Sequence, residues 1–256
     1  MKKTFIVNSA KEKICLVIEQ PRDPKGLVFI IHGLGGFKEQ AHIKAIKEVF
    51  LKAGYVTVRF DARNTIGDSQ GQMLEATLTS YFEDLQTVIA WSSKQPWYQE
   101  PFVLAGHSLG ATCTVLYAKK HQKKVKAIAP LSVFISGKEF EKAMDATEFA
   151  NWRQTGIKEW ESSSRPGVLK KIKWQFMEDA YQYDLLKDAQ ALDMPTLMAV
   201  GSEDKITPLS LQKKFFKKIT SKSKQLHIIK GSEHTMCKKS HLAQLKKIMR
   251  NWLEEI

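Results

Sequence analysis

Cysteine is scarce in this chain. Cys15, Cys113 and Cys237 lie far apart, in odd number and without C-x-x-C spacing. That pattern excludes a disulfide framework and a zinc knuckle and points to free thiols in a reducing, cytoplasmic setting. No 18 consecutive residues are apolar, so no segment reads as a membrane-spanning helix. The basic start Met1-Lys2-Lys3-Thr4 is followed only by Phe5-Ile6-Val7 before Asn8-Ser9, too short an apolar core for an export signal. Internal repeats, low-complexity tracts and His/Cys/Asp groupings at metal-ligand spacing are missing as well. Neither a repeat architecture nor a metal or organic cofactor is therefore expected.

Acids are outnumbered by bases, and the imbalance is local. The formal net charge is +13, and from Lys205 to Ile256 thirteen lysines and arginines face three acids. Lys213-Lys214, Lys217-Lys218, Lys238-Lys239 and Lys246-Lys247 alternate with apolar residues at helical spacing, among them Leu242, Leu245, Met249 and Trp252. This reads as a solvated face of amphipathic helices. Peripheral attraction to an anionic surface is the sharper alternative. No nucleic-acid partner is expected, because neither interleaved aromatics nor a binding motif accompanies the lysines.

A chain of 256 residues with 43% hydrophobic content fits one α/β domain, residues 1–256. Strand-length apolar runs recur at residues 5–7, 14–18, 27–31, 55–60, 102–105, 127–131, 196–200 and 226–229. The middle ones are apolar almost throughout, as in strands covered on both faces. Helical patterns lie between them at about 39–53, 80–94, 109–121, 208–219 and 240–254, with Thr207-Pro208 and Ser240 as helix starts. The alternation predicts a mostly parallel eight-stranded sheet with helices on both faces. One interval breaks the rhythm: about 134–192 holds many aromatics and no clear strand, and a structureless loop of that length is improbable, so it predicts a mainly helical insertion.

Gly106-His107-Ser108-Leu109-Gly110 lies between a buried strand and a helix, the setting of a nucleophile elbow. Serine needs a histidine to take its proton and a carboxylate to orient that histidine. In a parallel sheet these groups belong on loops beyond the C-terminal strand ends. Two later strands run into Gly201-Ser202-Glu203-Asp204 and into Gly231-Ser232-Glu233-His234. The candidates in chain order are Ser108, Asp204 and His234, with Glu203 as the alternative acid. His107, His227 and His241 are set aside as bases: the first precedes the serine and should point away, the second lies within a strand and the third at a helix start. By elbow geometry the Leu109 N–H faces the developing oxyanion.

With these motifs together the chain resembles the α/β-hydrolase superfamily over nearly its whole length. The matching segments are His32-Gly33-Leu34-Gly35, Gly106 to Gly110, Gly201-x-x-Asp204-x-x-x-Pro208 and Gly231-x-x-His234. Within the superfamily it is similar to small esterases and acylglycerol lipases with a helical cap between the sixth and seventh strands, bacterial cinnamoyl (feruloyl) esterases among them. The loop Asp61 to Gly71 is similar to a D-x-R-G-x-G-x-S-x-G motif, but is one residue longer and carries Asn64 in place of a glycine.

The resemblance implies an α/β-hydrolase fold, a cap at about 134–192 and a second oxyanion N–H from Leu34, with His32 structural. It implies a serine esterase that cleaves small or medium carboxylic esters through an acyl-enzyme on Ser108. The same residues serve thioesterases, acylglycerol lipases, peptidases and acyltransferases, and the fold does not choose among them. The rival from another class is a binding protein that kept the scaffold without turnover. Three intact side chains on three loops speak against it.

Overall fold

Apolar runs too short for helices become strands when both of their faces can be covered. The computed structural model describes residues 1–256. Its elements in chain order are β1 (Lys2–Val7), β2 (Lys13–Glu19), β3 (Gly26–Ile31), α1 (Ala41–Lys52), β4 (Tyr55–Phe60), α2 (Leu78–Ser92), β5 (Phe102–His107), α3 (Leu109–Lys120) and β6 (Val125–Leu131). There follow α4 (Gly137–Ala143), α5 (Ala146–Thr155), β7 (Ile157–Glu161), β8 (Leu169–Lys173), α6 (Gln175–Ala180), β9 (Thr196–Gly201), α7 (Leu209–Lys218), β10 (Lys224–Ile229) and α8 (Lys239–Leu253). Eight strands form one sheet in the order β1-β2-β4-β3-β5-β6-β9-β10. Only β1 with β2 and β2 with β4 run antiparallel. The expected mostly parallel sheet with helices on both faces is present.

The period-2 geometry of strands sorts the core. Leu27, Phe29 and Ile31 of β3 join Leu85 of α2, Val115 of α3 and Phe215 of α7 on one face. Val28 and Ile30 join Ile46 and Phe50 of α1 and Leu245 and Trp252 of α8 on the other. In α7 and α8 the lysines at 213, 214, 217, 239 and 247 are exposed while Phe215, Leu245, Met249 and Trp252 are buried. Hydrophobic pattern and lysine pattern thus describe opposite faces of the same helices.

The interval between β6 and β9 is not only helical. Besides α4, α5 and α6 it holds the antiparallel pair β7 and β8, from Ile157 opposite Lys173 to Glu161 opposite Leu169. Its sequences, IKEWE and LKKIK, are so rich in charge that no apolar alternation shows. Trp160 lies opposite Lys170 and Lys158 opposite Ile172, so the inward face mixes apolar side chains with lysines. Phe149, Trp152, Ile172 and Phe176 are buried in the same apolar cluster as β3. The turn between β7 and β8 is tied down: the Gln40 amide donates to Ser164 (3.2 Å), Arg165 donates to the Ile66 carbonyl (2.6 Å), and its guanidinium lies 3.9 Å from the Phe37 ring centre.

Two helix starts differ from expectation. Lys238 precedes α8 and Ser240 sits inside it; Pro208 precedes α7, and Thr207 has another task described below.

The loops after β3 and β4 are joined by a buried charge cluster. Lys38 is 3% exposed and donates from Nζ to Asp61 (2.7 Å) and Asp68 (2.5 Å), while its backbone N–H donates to the other Asp61 oxygen (2.6 Å). Burial pushes the Lys38 ammonium down, but the two carboxylates overcome that and hold its pKa well above the ordinary lysine value. The Lys38 and Lys3 ammonium groups hold the Asp68 carboxyl down to about 2. Asn64 takes the left-handed backbone (φ 56°) where the related motif has glycine, a conformation asparagine tolerates better than other side chains. Removing the cation would strand a buried carboxylate, at a cost of about 3–5 kcal/mol. Lys38→Ala should therefore lower unfolding free energy in urea by about that amount, and a loss under about 1 kcal/mol would contradict the pairing.

Candidate active site

The strand-to-helix turn at Ser108 is set by how closely α3 approaches the sheet. A Cβ on Gly110 would lie 2.6 Å from the Ile31 carbonyl oxygen and nearer still to that of His32. A Cβ on Gly106 would lie 2.7 Å from the Gly110 carbonyl. With side chains excluded there, the chain turns at Ser108 with φ 55° and ψ −119°. Such a conformation costs a non-glycine residue about 1–3 kcal/mol. The Ser108 N–H donates to the Leu131 carbonyl (2.9 Å) and its own carbonyl accepts from Thr112 (3.1 Å), which locks the turn from both sides.

Asp204 follows β9 and His234 follows β10. Asp204 Oδ2 accepts from His234 Nδ1 (2.9 Å), which leaves Nε2 as the nitrogen without the proton on a neutral ring. The carboxylate also accepts from the backbone N–H of Ile206 (3.0 Å) and Thr207 (2.8 Å) and from the Thr207 hydroxyl (2.8 Å). Burial alone would raise the Asp204 pKa, but the hydrogen bond and charge of His234, with the Thr207 bonds, outweigh it and hold the carboxyl below the usual range. Glu203, the alternative acid, is exposed and makes neither a hydrogen bond nor an ion pair with His234.

Ser108 and His234 line one cavity of about 520 Å³ without a hydrogen bond between them. Its wall is mostly apolar, with Leu34, Leu109, Phe134, Phe140 and Trp160 among its residues, and all but Leu34, Ser108 and Leu109 come from the interval between β6 and β9 or from the loops around Asp204 and His234. The backbone N–H groups of Leu34 and Leu109 donate to no group of the protein. The turn that carries Leu34 is fixed by Gly36 N–H donating to the Gly33 carbonyl (2.9 Å) and Gly35 N–H to the Tyr81 hydroxyl (3.3 Å), with Gly35 at φ 59°. A Cβ on Gly33 would lie 2.9 Å from that of Ser108.

The other histidines are accounted for by their neighbours. His32 is fully buried, donates from Nδ1 to the Gly33 carbonyl (2.8 Å) and accepts at Nε2 from the Ala62 N–H (3.1 Å). Both nitrogens are occupied by backbone, and burial lowers its pKa, so the ring is a structural link. His227 contacts Gln225 on β10, and His241 is buried on α8. His107 departs from the sequence reading: instead of pointing away, its ring packs on His234. The part of Thr207 was also missed. A hydroxyl three residues beyond an aspartate is the spacing at which a side chain reaches back to a carboxylate, and that signal was read as a helix cap.

The family described as serine aminopeptidase, S33, matches residues 22–240. Among solved structures, Est1E from Butyrivibrio proteoclasticus, with ferulic acid bound, superposes with a TM-score of 0.82 at 22% identity over 98% of both chains. Mouse alpha/beta hydrolase domain-containing protein 10 gives 0.81 at 18% identity over 100% of this chain and 99% of that one. A putative hydrolase from Agrobacterium vitis gives 0.80 at 14% identity over 98% of both. These similarities show an α/β-hydrolase fold. Among curated proteins none matches the chain.

The close approach at Gly110 has a direct consequence. Gly110→Ala would force a methyl group into the Ile31 and His32 carbonyls, and overpacking of this kind costs about 1–3 kcal/mol. Thermal melting should show a clear drop, whereas an unchanged midpoint would mean that α3 is free to move away from β3.

Proposed function

Because the chain belongs to the serine aminopeptidase S33 family of α/β-hydrolases, we propose that it is a serine hydrolase of carboxylic esters, with Ser108, His234 and Asp204 as its catalytic residues. The observation that carries this reading is the 2.9 Å bond from His234 Nδ1 to a buried Asp204, set on the same cavity as a serine in a strained turn.

Ser108 Oγ attacks the acyl carbonyl as its proton passes to His234 Nε2. Asp204, kept ionised by its hydrogen bonds, stabilises the imidazolium and fixes the tautomer. The oxyanion is met by the N–H groups of Leu34 and Leu109, which no protein acceptor occupies. Collapse of the tetrahedral intermediate sends the His234 proton to the leaving alcohol. Water then enters and loses a proton to His234 as it attacks the acyl-enzyme; the Ser108 Oγ–acyl bond breaks, that proton passes to Ser108 Oγ, and the carboxylic acid leaves.

The segment at about 134–192 acts as a cap in this reading. It supplies Phe140, Trp152, Trp160 and Phe176 to the cavity wall, and an apolar wall suits an uncharged acyl or aryl group of modest size. None of these four side chains is needed for the chemistry, so the cap governs which ester enters. The protein's three free thiols fit work in a reducing compartment.

Ser108→Ala and His234→Ala should each reduce turnover of p-nitrophenyl butyrate by about 10⁴ to 10⁶, and the double variant should be little worse, because the two side chains share one proton transfer. Multiplying losses would refute that shared role. A panel of p-nitrophenyl esters, acyl thioesters and aminoacyl amides, run beside Ser108→Ala, tests the ester assignment: faster Ser108-dependent cleavage of the amides would make the protein a peptidase. Asp204→Asn should cost about 10³ to 10⁴ and leave the protein folded. Glu203→Gln should cost far less, and the reverse ranking would move the acid to Glu203.

A further inference from the structure

Behind His234 lies a short stack of imidazoles that the mechanism does not use. His107, the last residue of β5, has its ring centre 4.7 Å from that of His234 and 4.4 Å from that of His42 on α1. His107 Nε2 is 2.8 Å from the His234 backbone oxygen. A carbonyl only accepts, so this nitrogen carries the proton and donates. His107 is 3% exposed and His42 2% exposed. His42 Nε2 has no hydrogen-bond partner, and the ring's remaining polar contact is to the backbone of Thr235, next to His234.

We propose that His107 is a positioning residue for His234: its Nε2–H holds the His234 carbonyl and its ring supports the imidazole, with His42 as the backing that keeps His107 from tilting away. The proposal rests on His234 being the catalytic base. His234 sits on a loop after β10, an edge strand of the sheet, and the second residue of that loop, Gly231, takes the left-handed conformation (φ 69°). The Asp204 bond fixes only the Nδ1 corner of the ring. The direction of Nε2 also depends on where the backbone of residue 234 stands, and the His107 bond fixes that point from the rigid centre of the sheet, one residue before Ser108. Serine and histidine are thereby referred to the same strand end. Burial lowers the pKa of both supporting rings, His42 to about 3 and His107 well below the ordinary histidine value. They therefore add no positive charge beside the imidazolium that forms on His234.

His107 is not part of the cavity wall, so its loss should alter kcat and leave KM nearly unchanged. Three variants separate the roles: His107→Phe keeps a ring without a donor, His107→Gln places an amide N–H near the position of Nε2, and His107→Asn offers a donor too short to reach. With p-nitrophenyl butyrate, His107→Phe should lower kcat about 10- to 100-fold, the scale expected of an ångström-sized misplacement. KM should change less than about threefold and the melting midpoint little, while His107→Gln recovers most of kcat and His107→Asn does not. Native kcat in His107→Phe would overturn the proposal. So would equal losses in the Gln and Asn variants, because the bond would then be irrelevant. If His107→Phe does not fold, the comparison of Gln with Asn carries the test alone. Turnover that survives Ser108→Ala in the native background would instead refute the serine-hydrolase reading, whatever the His107 variants do.

Discussion

Everything at the cavity depends on one close approach, that of the α3 N-terminus to the end of β3. The two backbones meet at a distance that leaves no room for a Cβ on Gly110, and α3 lies as near to β5 at Gly106; together these contacts force the left-handed turn at Ser108. The same approach brings the first N–H groups of α3 toward the cavity, where helix geometry leaves them without internal partners. It also brings the turn at Gly33 against Ser108. A serine hydroxyl, a helix N-terminus and a second free N–H at Leu34 are consequences of a single packing event. The strain at Ser108 is affordable because the surrounding strands are among the most buried parts of the molecule.

The polar groups behind this arrangement are satisfied by backbone more than by one another. His32 joins Gly33 to Ala62, Tyr81 supports Gly35, and Asp61 gathers Lys38 and Asp68 beneath the loops after β3 and β4. Hydrogen bonds of this kind add little net stability individually, but a buried group left unpaired is costly. The loops therefore have one low-energy arrangement rather than several. That rigidity is what a cavity needs if its N–H groups are to be oriented before a ligand arrives.

The sheet was legible in the sequence because fully buried strands leave largely apolar runs, and β3, β4, β5 and β9 are buried at every position. Asp204 and His234 were legible because each follows such a run by a few residues, and the structure brings the two into contact. The pair β7 and β8 was not legible: its inward face carries Lys158 and Lys170 beside Trp160 and Ile172, so burial and polarity do not coincide there. His107 was misread for another reason: its neighbour His234 lies 127 residues away along the chain, and no local pattern encodes a contact made through the packing of distant loops. Thr207 bonds an aspartate only three residues back, a local signal that its position before a helix masked.

The lysines of β7 and β8 bear on what the insertion is built to do. A two-stranded sheet is marginal alone, and this one is held by contacts at both ends: Arg165 and Ser164 at its turn reach the loops after β3 and β4, while Ile172 is buried in the main core. Lys170, 5% exposed, has neither an ion pair nor a hydrogen bond; burial and the nearby Arg165 charge lower its amine to about 8. A segment kept only for stability would gain by replacing such a lysine with an apolar residue of similar length. Its stem packs on Gly35, next to Leu34, so the strand pair and the Leu34 turn are in direct contact. The segment proposed as a cap and the turn that carries the proposed oxyanion donor Leu34 are therefore packed as one unit, so a substitution that disturbs the strand pair would be felt at the Leu34 N–H.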